Sequence, residues 1–243
     1  DLETAIQAGV TLNLESELEW HRVIAIGERT GVRPLVAVRV NPDFELKSSG
    51  MTMGGGPKPF GIDAERVPAL LNDIAQSDAR FRGFHIYSGS QNLDADRLIE
   101  AQSAPIELAL RLSEAWPGPV EMLNIGGGFG IPYFPGQQAF DIGKVGEALD
   151  RLLSSHRQAL DDAEIVVELG RYLVGEAGIY VREVIDRKVS RGKTYLVTNG
   201  GLHHHLAASG NFGQLIRKNY PLVLAHQVTT EPRESVDVVG PLC

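Results

Sequence analysis

The sequence predicts an α/β fold with a parallel sheet, followed by a smaller region of mostly antiparallel β structure. Three observations predict it. Short apolar runs alternate with longer helical patterns up to about Glu168, and strand–helix–strand repetition implies parallel strands joined by right-handed crossovers. Runs such as Leu35-Val36-Ala37-Val38-Arg39-Val40 are almost continuously apolar, which suits a sheet covered on both faces. From about Ile179 strand-like runs follow one another without long helices between them. A closed barrel and a doubly wound open sheet both satisfy this pattern.

The elements follow in order. Thr11–Leu14 reads as a strand. A helix over 16–29 is opened by the capping box Ser16-Glu17-Leu18-Glu19 and stopped near Gly31. The second strand is 35–40, and a Gly/Pro/Lys-rich loop runs from Ser48 to Gly61. Asp63 is expected to cap a helix to about Ser77, with Val67, Leu70, Leu71 and Ile74 on one face. Strand 81–88, helix 94–115, strand 120–125, helix 141–158 and strand 164–168 complete the alternation. Tyr180–Ile185, Thr194–Thr198 and Leu222–Ala225 read as strands of the later region. The predicted division is therefore 1–178 and 179–243.

Composition narrows the function classes. The 243 residues carry a net charge of −8 and no Lys/Arg-rich run, which argues against nucleic acid as a partner. No apolar run approaches the roughly 18 residues that span a bilayer. One cysteine, Cys243, excludes an internal disulfide framework and suits a reducing, cytoplasmic setting. Residues 1–15 open without a helix start signal and the last residues stop at a strand end, so the chain is expected to be part of a longer protein.

Functional residues of parallel α/β folds sit at the C-terminal ends of strands. Three such ends stand out. Gly126-Gly127-Gly128-Phe129-Gly130 offers main-chain amides for an anion, or else a plain flexible turn. It is no Walker loop, lacking Gly-Lys-Ser/Thr, and Ile131 breaks the dinucleotide fingerprint. Glu168-Leu169-Gly170-Arg171 sets a carboxylate beside a guanidinium. In Gly83–Gln91 alternation puts His85 and Tyr87 on one face. A phosphate cradle, an arginine clamp, aromatic rings and a buried carboxylate suit a phosphorylated aromatic cofactor. Pyridoxal 5'-phosphate fits best, because its pyridine nitrogen wants an acidic partner.

The chain resembles the fold type III (alanine-racemase-like) pyridoxal-phosphate decarboxylases, the group of diaminopimelate, ornithine and arginine decarboxylases. The resemblance runs from Leu2 to Cys243. It rests on Asn13-Leu14-Glu15-Ser16, Arg39-Val40-Asn41-Pro42, Phe60-Gly61-Ile62, Gly89-Ser90-Gln91, Gly126–Gly130, Glu168-Leu169-Gly170-Arg171 and Gly240-Pro241-Leu242-Cys243. The stretch from Gly200 through His203-His204-His205 to Gln214 is similar to the exosortase-associated subgroup.

The resemblance implies a (β/α)8 TIM-type barrel, truncated at its N-terminus, and then the start of the β domain. It implies that Gly126, Gly127, Gly128, Gly170, Arg171 and Ser90 surround the cofactor phosphate, with Arg39 also on the cofactor side. Glu168 then meets the pyridine nitrogen, and Tyr87 stands where the family's ring-stacking histidine is found, with His85 close by. Cys243 matches the cysteine that enters the partner subunit's site and protonates the product, which implies a homodimer with active sites at its interface. The lysine to which the family attaches its cofactor is expected upstream of Asp1. The implied activity is decarboxylation of an amino acid resembling diaminopimelate, ornithine or lysine. A racemase of the same fold and a non-catalytic relative are the alternatives, and Glu168 argues against the racemase. Consecutive histidines 203–205 diverge in an extended segment, so no metal site is expected there.

Overall fold

A parallel sheet begins with β1 (Thr11–Leu14), which follows the short helix α1 (Leu2–Gln7). The computed structural model describes residues 1–44, 51–52, 55–87, 89–139, 141–160, 163–205, 221–227 and 234–241. Helix α2 (Glu17–Thr30) starts where Ser16 Oγ accepts the Glu19 N–H at 3.1 Å, while the Glu19 carboxylate reaches back to the Glu15 N–H at 2.8 Å. It stops at Gly31, whose φ of +67° is costly for any other residue. Strand β2 (Leu35–Asn41) follows, then two short strands, β3 (Met51–Thr52) and β4 (Ile62–Asp63).

Asp63 does not cap a helix with its side chain. Its carboxylate accepts a hydrogen bond from Asn41 Nδ2 at 2.8 Å, so a 3-10 turn over Ala64–Arg66 intervenes before α3 (Val67–Ala75). Strands β5 (Arg80–His85) and β6 (Gly89–Ser90) precede α4 (Ala95–Ser113), which Asp94 caps through the N–H groups of Asp96 and Arg97. Strand β7 (Met122–Asn124), α5 (Ile142–Ser155), α6 (Arg157–Leu160), β8 (Glu164–Val166) and α7 (Arg171–Val174) follow.

The sheet order is β1-β2-β5-β7-β8, every pair parallel, with β4 added alongside the end of β2. Helices lie against one side of it. Val23 of α2, Leu70, Leu71 and Ile74 of α3, and Ile106, Leu108 and Leu112 of α4 pack with Leu14, Val36, Val38, Phe81, Phe84 and Leu123 of the strands. Each fully buried Leu or Ile side chain contributes about 1.5–3 kcal/mol by leaving water.

The chain forms two compact units, residues 1–131 with 138–173, and residues 132–137 with 174–243. In the second, β9 (Val184–Ser190) and β10 (Lys193–Thr198) form an antiparallel hairpin, and β11 (Asp237–Val239) joins β10 in parallel. Its turn residues Arg191 and Gly192 both have positive φ, as a tight two-residue hairpin turn requires. Residues 180–183 and 222–225 are not strands. Leu222, Val223 and Leu224 are exposed and pair with no strand among the described residues, and an apolar run without a partner has no ladder to join. Among the described residues no helix is long and apolar enough to cross a membrane.

One irregularity in the sheet decides which face His85 occupies. Val36 pairs with Phe81 but Ala37 pairs with Gly83, so Arg82 is an extra residue, a β-bulge. Strict alternation would place Phe81 and His85 on the same face. The bulge resets the count. Phe81 and Phe84 now share the helix-covered face, their rings meeting edge-on at 5.2 Å, and His85 goes to the other side. Gly83 makes the bulge possible, with φ of +148° and no room for a side chain; a Cβ would stand 1.8 Å from the Met122 carbonyl oxygen. Gly83→Ala is predicted to destabilise the purified protein by about 2–3 kcal/mol or more, from overpacking and backbone strain. Gly9→Ala, at φ +68° in open space, costs only about 1 kcal/mol. Urea unfolding of the two variants checks the contrast.

Candidate cofactor site at the strand ends

Residues paired in register across a parallel sheet share a face. Arg39 pairs with His85, and His85 with Asn124. Glu15 follows the end of β1 and Glu168 the end of β8, each on the same parity. The face opposite the helices therefore carries a row of polar side chains at the C-terminal strand ends, in the order Glu15, Arg39, His85, Asn124, Glu168.

These side chains hold one another. Arg39 Nη1 donates to Glu15 Oε1 at 2.5 Å, and its guanidinium lies 4.9 Å from the centre of the Phe60 ring. Glu15 Oε2 accepts the Gly61 N–H at 2.7 Å. Gly61 sits at φ +76°, and a Cβ there would meet the backbone of Asn41 and Arg39 at 2.9–3.0 Å, which explains the glycine in Phe60-Gly61-Ile62. At the other end of the row Asn124 Nδ2 donates to Glu168 Oε1 at 2.9 Å, and the Glu168 side chain, expected to be buried, is 43% exposed, since β8 is the last strand of the described sheet. His85 Nε2 stands 3.1 Å from the same oxygen, out of line for a good hydrogen bond, and neither ring nitrogen has another partner among the described residues.

His85 is 6% exposed. Burial pushes its pKa below the usual histidine value; the Glu168 carboxylate pulls the other way and the Arg39 guanidinium pushes further down. The imidazole is therefore neutral at pH 7. Burial, and then the Glu168 charge, push the Tyr87 phenol up, so it keeps its proton.

The glycine turn is shaped by these neighbours. Gly126 has φ +72° and Gly128 φ +102°. A Cβ on Gly126 would lie 2.8 Å from the Tyr87 ring, and one on Gly127 would lie 2.3 Å from the Glu168 carbonyl oxygen. The Gly126 N–H donates to Asn124 Oδ1 at 2.9 Å, and its carbonyl accepts the Glu168 N–H at 2.8 Å. The N–H groups of Gly127 and Gly128 donate to nothing among the described residues. The triplet is thus both a tight turn and a pair of unspent donors.

Arg171 begins α7, just after Gly170, and its Nη1 donates to Gln91 Oε1 at 3.0 Å. Gln91 adopts φ +59°, rare for a residue with a side chain, and its Nε2 donates to the Ile131 carbonyl at 2.7 Å. It ties Arg171 to the segment just after the glycines. Ser90 lies in β6 opposite Met51 and contacts the Tyr87 phenol. Gly170 is exposed with open space where a side chain would stand.

His85, Tyr87, Ser90, Arg39, Glu168, Arg171 and the glycines thus belong to one compact unit. Cys243 lies outside the described residues. Sequence reasoning did not single out Glu15, Gln91 and Asn124 as site residues, although Glu15 and Gln91 stand inside the family's motifs and Asn124 lies two residues before the glycines. Among the described residues no group of three or more His, Cys, Asp or Glu side chains is arranged to hold a metal ion.

Residues 1–175 match the family model described as pyridoxal-dependent decarboxylase, pyridoxal binding domain. Over 249 aligned residues the chain is 35% identical to the L-glutamyl-(BtrI acyl-carrier protein) decarboxylase of Niallia circulans, covering all of this chain and 58% of that one. It is 32% identical to a diaminopimelate decarboxylase of Thermoplasma acidophilum, covering 76% of this chain and 44% of the relative. The chain thus spans about half the length of these relatives. Among solved structures, diaminopimelate decarboxylase from M. jannaschii with L-lysine superposes with a TM-score of 0.84 at 22% identity, over 100% of this chain and 55% of that one. The enzyme from Helicobacter pylori with L-lysine gives 0.80 at 24%, over 100% and 58%. Both likenesses show the fold, a barrel of the TIM type.

The neutral burial of His85 has a consequence for stability. Its folded pKa lies below the ordinary value of about 6.5, so below that pH the unfolded chain takes up the proton first. Its contribution is present above about pH 6.5 and is lost as pH falls toward the folded pKa. His85→Gln is predicted to lose less stability than the unaltered protein between pH 7 and about 5.5, in urea unfolding at the two values.

Proposed function

The chain belongs to the pyridoxal-dependent decarboxylases, whose cofactor is pyridoxal 5'-phosphate, and from that premise we infer that it binds this cofactor and decarboxylates an amino acid of the diaminopimelate, ornithine or lysine kind. The residues present fit the cofactor. The observation that carries the reading is the Glu168 carboxylate, fixed by Asn124 beside a turn with two amide N–H groups that donate to nothing among the described residues. A carboxylate for a ring nitrogen and amide donors for a phosphate are the two contacts that such a molecule demands.

Bound pyridoxal 5'-phosphate supplies a ring that takes up the electron pair left on Cα as CO2 departs. The residues of this chain do the rest. Glu168 holds a proton on the ring nitrogen by stabilising its charge. The Gly127 and Gly128 amides, Arg171 and the Ser90 hydroxyl grip the phosphate. Tyr87, packed on Gly126, would help hold the cofactor on that side. Neutral His85 keeps positive charge away from Glu168, so no imidazolium competes with the ring nitrogen for that carboxylate. An acid at 168 suits an electron sink; a cation there would suit a racemase.

Two finer points belong to the same reading. A homodimer with shared active sites follows from the family resemblance, with Cys243 of each subunit delivering a proton to its partner's site. A cytoplasmic location accords with the single cysteine.

The test is CO2 release by the full-length protein, loaded with pyridoxal 5'-phosphate, from a panel of amino acids that includes diaminopimelate, ornithine, lysine and a carrier-linked glutamyl group. Turnover of at least one supports the proposal; a cofactor-loaded protein that turns over none contradicts it. Glu168→Gln is predicted to lower kcat by roughly a hundredfold or more while the cofactor stays bound. Arg171→Ala is predicted to weaken cofactor binding by about tenfold or more, read by equilibrium dialysis.

A further inference from the structure

Asn124 ends β7 with 8% of its surface exposed, and both ends of its side chain are committed. Nδ2 donates to Glu168 Oε1 at 2.9 Å, and Oδ1 accepts the Gly126 N–H at 2.9 Å. The Gly126 carbonyl then accepts the Glu168 N–H at 2.8 Å. The three residues close a ring of hydrogen bonds, from Asn124 to the Glu168 carboxylate, from the Glu168 main chain to Gly126, and from Gly126 back to Asn124.

The orientation of the amide is set by its partners. The Gly126 N–H is only a donor, so it must face Oδ1, which leaves Nδ2 for the carboxylate. The amide does both through two separate atoms, whereas a serine or threonine hydroxyl has one oxygen for both bonds. Aspartate cannot donate, and leucine neither donates nor accepts. The bond takes up Oε1 of Glu168; Oε2 accepts no hydrogen bond among the described residues.

We propose that Asn124 is a positioning residue for the decarboxylation inferred above, acting on both contact points of the cofactor at once. It pins Oε1 of Glu168 and so leaves Oε2 for the ring nitrogen. It also locks Gly126 at the start of the turn, so that the Gly127 and Gly128 amides keep one arrangement for the phosphate. One side chain thereby fixes the spacing between the acid and the anion cradle. This rests on the reading of the site as a pyridoxal-phosphate site.

Two substitutions separate the two bonds. Asn124→Asp keeps the size of the side chain and the acceptor for Gly126, loses the donor to Glu168, and sets a second carboxylate against the first. The like charge raises the pKa of one of the two carboxyl groups, and above that pKa both are ionised and no hydrogen bond joins them. Asn124→Ala loses both bonds. The readouts, in the full-length protein loaded with pyridoxal 5'-phosphate, are cofactor affinity by equilibrium dialysis, the pH titration of the bound cofactor's absorbance, and kcat with the best substrate of the panel.

The Asp variant is expected to bind the cofactor within about threefold of the unaltered protein. Its absorbance titration gains an ionisation that the unaltered protein lacks, and its kcat falls by about tenfold or more, the loss of one hydrogen bond to a charged group. In the Ala variant affinity and kcat fall together, each by about tenfold or more. If Asn124 only supports the fold, the two variants lower the unfolding midpoint but leave the titration and kcat unmoved. That outcome overturns the proposal, as does an Asp variant indistinguishable from the unaltered protein. An unaltered protein that takes up no pyridoxal 5'-phosphate overturns the reading of the site itself, and the proposal with it.

Discussion

Glu168 Oε1 accepts from Asn124 at 2.9 Å and faces His85 at 3.1 Å, and the site is arranged around this meeting of three strand ends. It depends on parity. In a parallel sheet a side chain belongs to one face or the other, and a slip of one residue exchanges them. The bulge at Arg82 lets Phe81 and Phe84 both enter the helix-covered core and sends His85 to the face of Arg39 and Asn124. Gly83 is the residue on which this turns, since any side chain there collides with the Met122 carbonyl. The core on one side and the chemistry on the other thus have a common origin in one bulge.

The glycine triplet meets two demands. The protein's own packing needs the first two glycines bare, because the Tyr87 ring lies against Gly126 and the Glu168 carbonyl against Gly127. Among the described residues nothing accepts a hydrogen bond from the Gly127 and Gly128 amides. Gly126 spends its own N–H on Asn124, so the three are not equivalent donors. Amide side chains recur as organisers. Asn124 donates to the acid, and Gln91, held at a positive φ, accepts from Arg171. Both keep their charged partner where unaided it would sample other rotamers.

Much of this was legible in the sequence. The alternation of apolar runs and helices marks the parallel sheet, and the three unusual strand ends are segments that the fold brings together. The cap of α2 was plain in Ser16 and Glu19. The bulge was harder to see, although Phe81 and Phe84, three apart in a short strand, conflict with a period of two. Asn124 was hidden by its ordinariness, since an asparagine at a strand end is usually read as part of a turn. Its role exists only through Glu168, 44 residues later. Asp63 misled for a similar reason: its cap position was visible in sequence, its competing partner Asn41 was not. Leu222–Ala225 shows the limit of apolarity as a strand signal, since none of the described strands pairs with it.

The central claim is that Glu168 faces and charges the heterocycle of a bound pyridoxal 5'-phosphate. Nitrogen NMR of the full-length protein loaded with cofactor labelled at the ring nitrogen reads this directly. A protonated ring nitrogen at neutral pH in the unaltered protein, lost when Glu168 is replaced by alanine, is the result expected. A ring nitrogen that is unprotonated in the unaltered protein, or that stays protonated without Glu168, contradicts it.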